Sequence, residues 1–183
     1  MPSGEFELPL ILADHRFHAD GSLNYRTLTL VPQGHWDGGQ IGDRMTVNGK
    51  VSPYTNVARG QCRFRVLNAS NFRAHHLFFS DRRPFHVIGN DAGLLDGPVV
   101  ITDVRLTPGE RADLVVDFSD HEKGEHVDLV NDQREAALNA IVTDAQPLPD
   151  VVRFASTGAK GHQQVLPARL RVTPCRARGT TEL

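Results

Sequence analysis

Pro108-Gly109-Glu110-Arg111-Ala112-Asp113-Leu114-Val115-Val116-Asp117-Phe118-Ser119 is a turn dipeptide followed by a strand pattern. Ala112, Leu114, Val116 and Phe118 recur at period two on one face, and Arg111, Asp113 and Asp117 recur on the other. A half-buried β-strand places its side chains in this way, so the stretch predicts a strand with one face on a core.

Working outward, the same logic finds partners for that strand. Cys62, Phe64 and Val66 alternate with Gln61, Arg63 and Arg65, which predicts a strand over Gln61 to Leu67 with one wet or partner-facing side. Met45 to Val51 carries Asn48-Gly49 between alternating residues, a two-residue hairpin signal because both turn positions take positive φ. Pro53-Tyr54 is expected to end the second arm. Leu8 to Asp14, with Pro9 near its start, reads as an edge or entering strand. Asp20-Gly21 marks a turn, and the glycine-rich Gln33 to Gly42, with Trp36, a surface loop. His75 to Phe79 and Phe85 to Ile88 read as a pair of strands around the charged turn Ser80 to Pro84, with Gly89 to Gly97 as a loop. Extended segments follow around Val99 to Ile101 and Val104 to Leu106. Asp120 to Gly124 is a turn, and Val127 to Asn131 and Asp150 to Ala155 are further strands. Gln133 to Asn139 alone leans towards helix. Many short strands between Gly, Pro, Asn and Asp turns predict an all-β fold, a sandwich or barrel of Greek-key type.

The 183 residues suit one domain with a real core. Residues 1–156 are expected to form it, and 157–183, rich in Gly, Lys, Gln, Pro and Arg, to form a linker or disordered tail. A charge of −2 from 20 basic and 22 acidic residues, well mixed, gives no surface for nucleic acid or anionic lipid. With no apolar span and no signal-peptide pattern, the chain reads as soluble, not exported and cytoplasmic as it stands. Cys62 and Cys175 form no CxxC pair; two separate thiols are expected, with a disulfide between them as the alternative. Asn68-Ala69-Ser70 matches a glycosylation sequon but is read as a turn.

The nine histidines, His15, His18, His35, His75, His76, His86, His121, His126 and His162, raise a metal hypothesis. Ligands must converge on one point, and adjacent strand residues such as His75 and His76 point to opposite faces. No HxH, HxxxH, HExxH or CxxC occurs, and neither cysteine sits in a copper-binding context. No GxSxG elbow, P-loop or GxGxxG is present either. Asp113 and Asp117 alternate with Arg111 and read as a salt-bridged face rather than an acid/base dyad. No catalytic, cofactor-binding or metal residue is assigned.

Taken in order, Leu8 to Leu23, Val47-Asn48-Gly49-Lys50 with Pro53-Tyr54, Arg63 to Asn71, Phe85 to Leu95 and Pro108 to Ser119 resemble the middle cupredoxin-like domain of the three-domain multicopper oxidases, the laccase and bilirubin oxidase type. The resemblance spans roughly Glu5 to Arg169 and implies a cupredoxin-like Greek-key β-sandwich. In the intact family it implies copper-dependent oxidation of phenols, aminophenols or metal ions coupled to reduction of O₂ to water. The coppers there are held by HxH pairs in the first domain and by HxxHxH and HCH segments in the third, whereas the middle domain bridges the two and walls the substrate entrance. This chain lacks those segments, and Ala92 stands where a glycine is more usual. The resemblance thus implies a copper-free middle domain, inactive alone, whose partners are the first and third cupredoxin domains or, through exposed domain interfaces, a second copy. Leu166 to Leu170 resembles the linker into a third domain, and the tail beyond Arg171 does not continue as a cupredoxin strand, as a truncated product would not. The alternatives are a stand-alone binding or scaffold module, and a metalloprotein using histidines such as His75 and His86.

Overall fold

In a computed structural model, described for residues 1–25, 41–132 and 147–171, the alternating segments become twelve strands in two packed sheets. The larger sheet is built from β1 (Glu7–His15), β2 (Arg44–Val47), β3 (Lys50–Val51), β5 (Gln61–Asn68), β7 (Phe85–Asn90), β8 (Gly93–Ile101) and β10 (Arg111–Asp117), in the order β3-β2-β1-β5-β10-β7-β8. The smaller contains β4 (Tyr54–Arg59), β6 (His75–Phe79), β9 (Asp103–Leu106), β11 (His126–Asn131) and β12 (Asp150–Lys160), in the order β4-β12-β11-β6-β9. A three-residue 3₁₀ turn, Gly4–Phe6, precedes β1.

β10 occupies the place its pattern predicts. It pairs antiparallel with β5 on one side and β7 on the other, and Ala112, Leu114 and Val116 point into the core with Phe118 just beyond. Val115 shares the outward face with Arg111 and Asp113 yet is 1% exposed, because its register sets it between Arg63 and His86. Between the sheets, Phe64 and Phe118 from one side meet Phe79 and Phe154 from the other, with Phe64 and Phe154 centroids 4.8 Å apart. Each such ring, fully buried, contributes about 1.5–3 kcal/mol of transfer free energy.

The Asn48-Gly49 turn is present, with φ of 52° and 77° between β2 and β3. Asn48 also does something that alternation cannot reveal. Its side chain accepts from Ile11 N and donates to Pro9 O, both at 2.9 Å. Those amide bonds extend the β1–β2 ladder past its last backbone pair, Leu12 with Val47. Of the two readings that Pro9 allowed, an edge or an entering strand, β1 is the entering one, and it lies inside the sheet. It runs parallel to β5 on one side, and Pro9 lies where β2 does not reach, so its missing N–H interrupts no ladder bond.

Other expectations shift. Tyr54 does not end the hairpin arm: β3 stops at Val51, and Tyr54 opens β4 in the other sheet. β6 and β7 flank the Ser80 to Pro84 turn but lie in different sheets. Gly89 to Gly97 is a tight hairpin and not a loop, since Asn90 pairs with Gly93 and the chain runs on as edge strand β8, where Pro98 is tolerated. β12 runs to Lys160, four residues past the expected boundary at 156. Beyond it, Gln61 N donates to His162 O and Leu170 N to Asp96 O, so residues up to Arg171 lie along the larger sheet. The Gln133 to Asn139 segment, most of the Gln33 to Gly42 loop with Trp36 and His35, and the tail with Cys175 fall outside the described residues.

Candidate functional site

The histidines end up with different neighbours and different work. His75 is fully buried on β6, its Nε2 3.1 Å from Ser70 Oγ, and burial drives its pKa down to about 4, against a smaller upward pull from Asp14. His76, on the opposite side of the same strand, lies between Asp103 (Nε2 to Oδ1, 2.9 Å) and Asp132 (Nδ1 to Oδ2, 3.2 Å). Its hydrogen bond is the main reason the Asp103 carboxyl titrates below its ordinary range. His121 contacts Asp120 and the guanidinium of Arg83. His15 packs edge-on to Phe17, and His162 lies 6.4 Å from the Phe6 ring. His86 is on β7 in the larger sheet and His75 on β6 in the smaller, so the two belong to separate layers. His18 and His126 are exposed.

Cys62 is 2% exposed inside the core beside Val116, and burial pushes its thiol up to about 11. A thiol held protonated among hydrocarbons is a poor metal ligand and a poor nucleophile. Among the described residues no three His, Cys, Asp or Glu side chains come together as a metal-binding group.

The charged residues of β5 and β10 form the salt-bridged face anticipated for Asp113. Arg63 sends Nε and Nη2 to the two oxygens of Asp113 and Nη1 to Glu7 at 3.3 Å; Arg65 reaches Glu7, and Arg111 reaches Asp91, each at 2.6 Å. Arg63 is largely enclosed, and its bond to Asp113 raises its pKa still further. Asp117 is capped differently, accepting from Ser119 N, so the two aspartates do not act as a dyad. Around these pairs Pro9, Ile11, Leu67 and Leu94 line a shallow depression of about 460 Å³ on the outer face of the larger sheet. Of these, Ile11 is exposed. The outward face of the smaller sheet carries the ion pair of Arg153 with Asp128, and His76 hydrogen-bonded to its two aspartates.

One buried ionic group escaped sequence reasoning. Arg73, 0% exposed, donates Nε to Asp14 Oδ2 and Nη2 to Gly42 O, each at 3.0 Å, and Gly42 N donates to the same Asp14 oxygen. A Cβ at Gly42 would lie 2.3 Å from His15 N, so only glycine permits this approach. Asn68 completes the region: Nδ2 donates to Arg73 O and Leu106 O, and Oδ1 accepts from Ser70 N. Its side chain is wholly enclosed at the end of β5, where the chain turns through the Oδ1–Ser70 N bond.

Residues 6–146 match the family described as Cu-oxidase, multicopper oxidase. The chain belongs to the multicopper oxidase family. It is 44% identical over 121 residues to multicopper oxidase LPR1 homolog 3 of Oryza sativa subsp. japonica, covering 65% of this chain and 23% of that relative. It is 38% identical over 136 residues to a laccase of Bacillus subtilis (strain 168), covering 72% of this chain and 26% of the laccase. Cell division protein FtsP of Escherichia coli (strain K12) is 41% identical over 116 residues, covering 63% and 23%. Among solved structures, McoA multicopper oxidase from Aquifex aeolicus superposes with a TM-score of 0.76 at 34% identity, over 95% of this chain and 36% of McoA. The chain thus spans about a quarter of the length of its curated relatives. Its sandwich is the cupredoxin-like one that the resemblance implied.

Copper, which the family implies, does not fit the described residues. His75 and His76 each spend ring nitrogen on a neighbour, Cys62 lies in the core, and although His75 Nδ1 is buried without a partner, no donor set converges among the described residues. No helix of the described residues is long and apolar enough to cross a membrane.

Proposed function

We propose that this multicopper oxidase domain is the copper-free middle domain of a laccase-like enzyme, bridging first and third cupredoxin domains and walling the substrate entrance between them. The observation that carries this reading is the fate of the imidazoles. His75 bonds Ser70, His76 bonds two aspartates and His121 bonds Asp120, so these side chains serve the sandwich. Length supports it, because the match covers only about a quarter of those relatives and leaves room in them for further domains. The outer face of the larger sheet supports it too. Exposed aliphatics among self-paired arginines suit a partner that brings shape and apolar area more than net charge.

A second reading is a non-catalytic binding or scaffold module on the same fold. It is favoured by relatives named for cell division rather than for an oxidation.

Two measurements test these readings together. The purified chain is reconstituted with Cu(II), assayed for bound metal, and supplied with a phenolic dye in air; the expected result is negligible copper and no oxidation. The chain is then exchanged for the matching segment of the Bacillus subtilis laccase. A copper-loaded chimaera that oxidises the dye supports the bridging domain, and one that folds and loads copper without turnover favours the module. Stoichiometric copper with turnover in the isolated chain sinks both.

A further inference from the structure

Asn48-Gly49 has a chemistry beyond its turn geometry. In an Asn-Gly pair the glycine amide nitrogen can attack the asparagine Cγ, because no side chain on the second residue blocks the approach. The Cγ–Nδ2 bond breaks, ammonia leaves, and a cyclic imide forms between Cγ and the backbone nitrogen. Water then opens the ring to aspartate or to its chain-lengthened isomer. Nothing is oxidised or reduced, and water is the only co-reactant. Asn48 is exposed, so the solvent needed for the second step is at hand.

The fold opposes the first step. The Asn48 amide is not free to swing towards Gly49 N, because both of its polar atoms are spent on β1: Oδ1 accepts from Ile11 N and Nδ2 donates to Pro9 O, each at 2.9 Å. The Asn48 backbone N–H is tied to the same strand through Ile11 O, also at 2.9 Å. Ring closure therefore requires both side-chain bonds to be given up. At the usual net worth of a hydrogen bond, losing two slows the reaction about tenfold to a hundredfold relative to an unrestrained Asn-Gly.

We propose that Asn48 is a deamidation site that the folded sandwich guards, and that its hydrolysis loosens the β2–β3 hairpin from β1. The product explains the second half. A carboxylate at position 48 still accepts from Ile11 N but cannot donate, so two acceptors, its own oxygen and Pro9 O, face each other where a hydrogen bond stood. The isomer adds a backbone atom to a two-residue turn that has no room for one. β2 carries Met45 and Val47, each 2% exposed, so damage at an exposed turn reaches the core.

The test is to incubate the chain at mildly alkaline pH, folded and in urea, and to follow amide-to-acid conversion on the peptide containing residue 48 by mass spectrometry. Conversion is expected to run at least tenfold faster in urea. Equal rates in the two conditions overturn the guarding. The deamidated chain, separated by ion exchange, and an Asn48→Asp chain are then unfolded in urea. Both are expected to have an unfolding constant raised about tenfold, the equivalent of one lost hydrogen bond. Midpoints unchanged from the parent overturn the loosening. The rate comparison needs no variant, so it stands even if Asn48→Asp does not fold.

Discussion

Acidification should begin to destabilise this domain through one buried side chain, ahead of its carboxylates. His75 is enclosed on β6, and burial lowers its pKa from 6.5 to about 4. Once unfolded, the same imidazole regains its ordinary affinity for a proton. Between those two values the unfolded chain binds a proton that the folded chain refuses. The contribution of His75 is therefore complete above about 6.5, declines as pH falls towards about 4, and is constant below that. At ~1.4 kcal/mol for each tenfold difference in proton affinity, the interval from 6.5 to about 4 sums to about 3 kcal/mol, a large share of the ~5–15 kcal/mol that holds an ordinary domain together. The carboxyls of Asp81, Asp103, Asp120 and Asp128 are lowered from 3.8 in the folded state, so their stability is lost as pH falls through and below that value, joining the His75 decline only at its acid end. The assay is urea unfolding followed by far-ultraviolet circular dichroism at closely spaced pH values, for the parent and for His75→Gln. The parent midpoint is expected to fall steadily across the window, while the slope of each transition stays the same. In His75→Gln the decline should shrink by most of its size. A parent that is flat between the two pKa values, or a variant that keeps the whole decline, refutes the assignment.

Removing one partner of the Arg73–Asp14 pair should cost about 3–5 kcal/mol, because the other charge is left buried without it. Asp14→Ala and Arg73→Met are expected to show this in urea midpoints, and the joint Asp14→Leu/Arg73→Met chain should lose much less than the sum. Asn68→Asp should destabilise by about 2–3 kcal/mol or more at neutral pH, since a carboxylate would face the carbonyls of Arg73 and Leu106 that Nδ2 now serves. Thermal unfolding would expose the error if the variant melted with the parent. Cys62, with its thiol pushed up to about 11 and 2% exposed, should resist an alkylating reagent in the folded chain and react promptly in urea. Labelling of Cys62 under native conditions at the unfolded rate contradicts its placement.

The strands whose positions could be read in advance are those with one dry face and one wet face. β5 and β10 alternate because Phe64, Val66, Leu114 and Val116 meet the core while Arg63, Arg65 and Asp113 pair outside. The first half of β8 was hidden by its own composition, since Gly93 and Gly97 read as loop and only Val99 to Ile101 as extended, although an edge strand bonded on one side tolerates both glycines and Pro98. The sheet exchange at Pro53 left no local mark either, because both sheets bury the same kind of residue. Side-chain roles that depend on distant partners were the least legible. Arg73 lies 59 positions from Asp14, and nothing near either residue announces that they meet. Only the Asn48 turn carried a signal, and that signal reported its backbone angles, not the two bonds its amide makes to β1.

Two parallel pairings stand out in an otherwise antiparallel sandwich: β1 with β5, and β12 with β4. β4 and β5 are consecutive, separated by Gly60 alone, whose φ of 148° disfavours any side chain and where an added Cβ would lie 2.4 Å from His162 O. The first strand and the last are thus laid against the two arms of one bent segment. Phe6 and His162 meet at its corner, their rings 6.4 Å apart. In mechanical terms Gly60 is a shackle. Tension applied between residues 6 and 162 is carried by the short junction around it, where Glu7 pairs with Arg63 and Gln61 with His162.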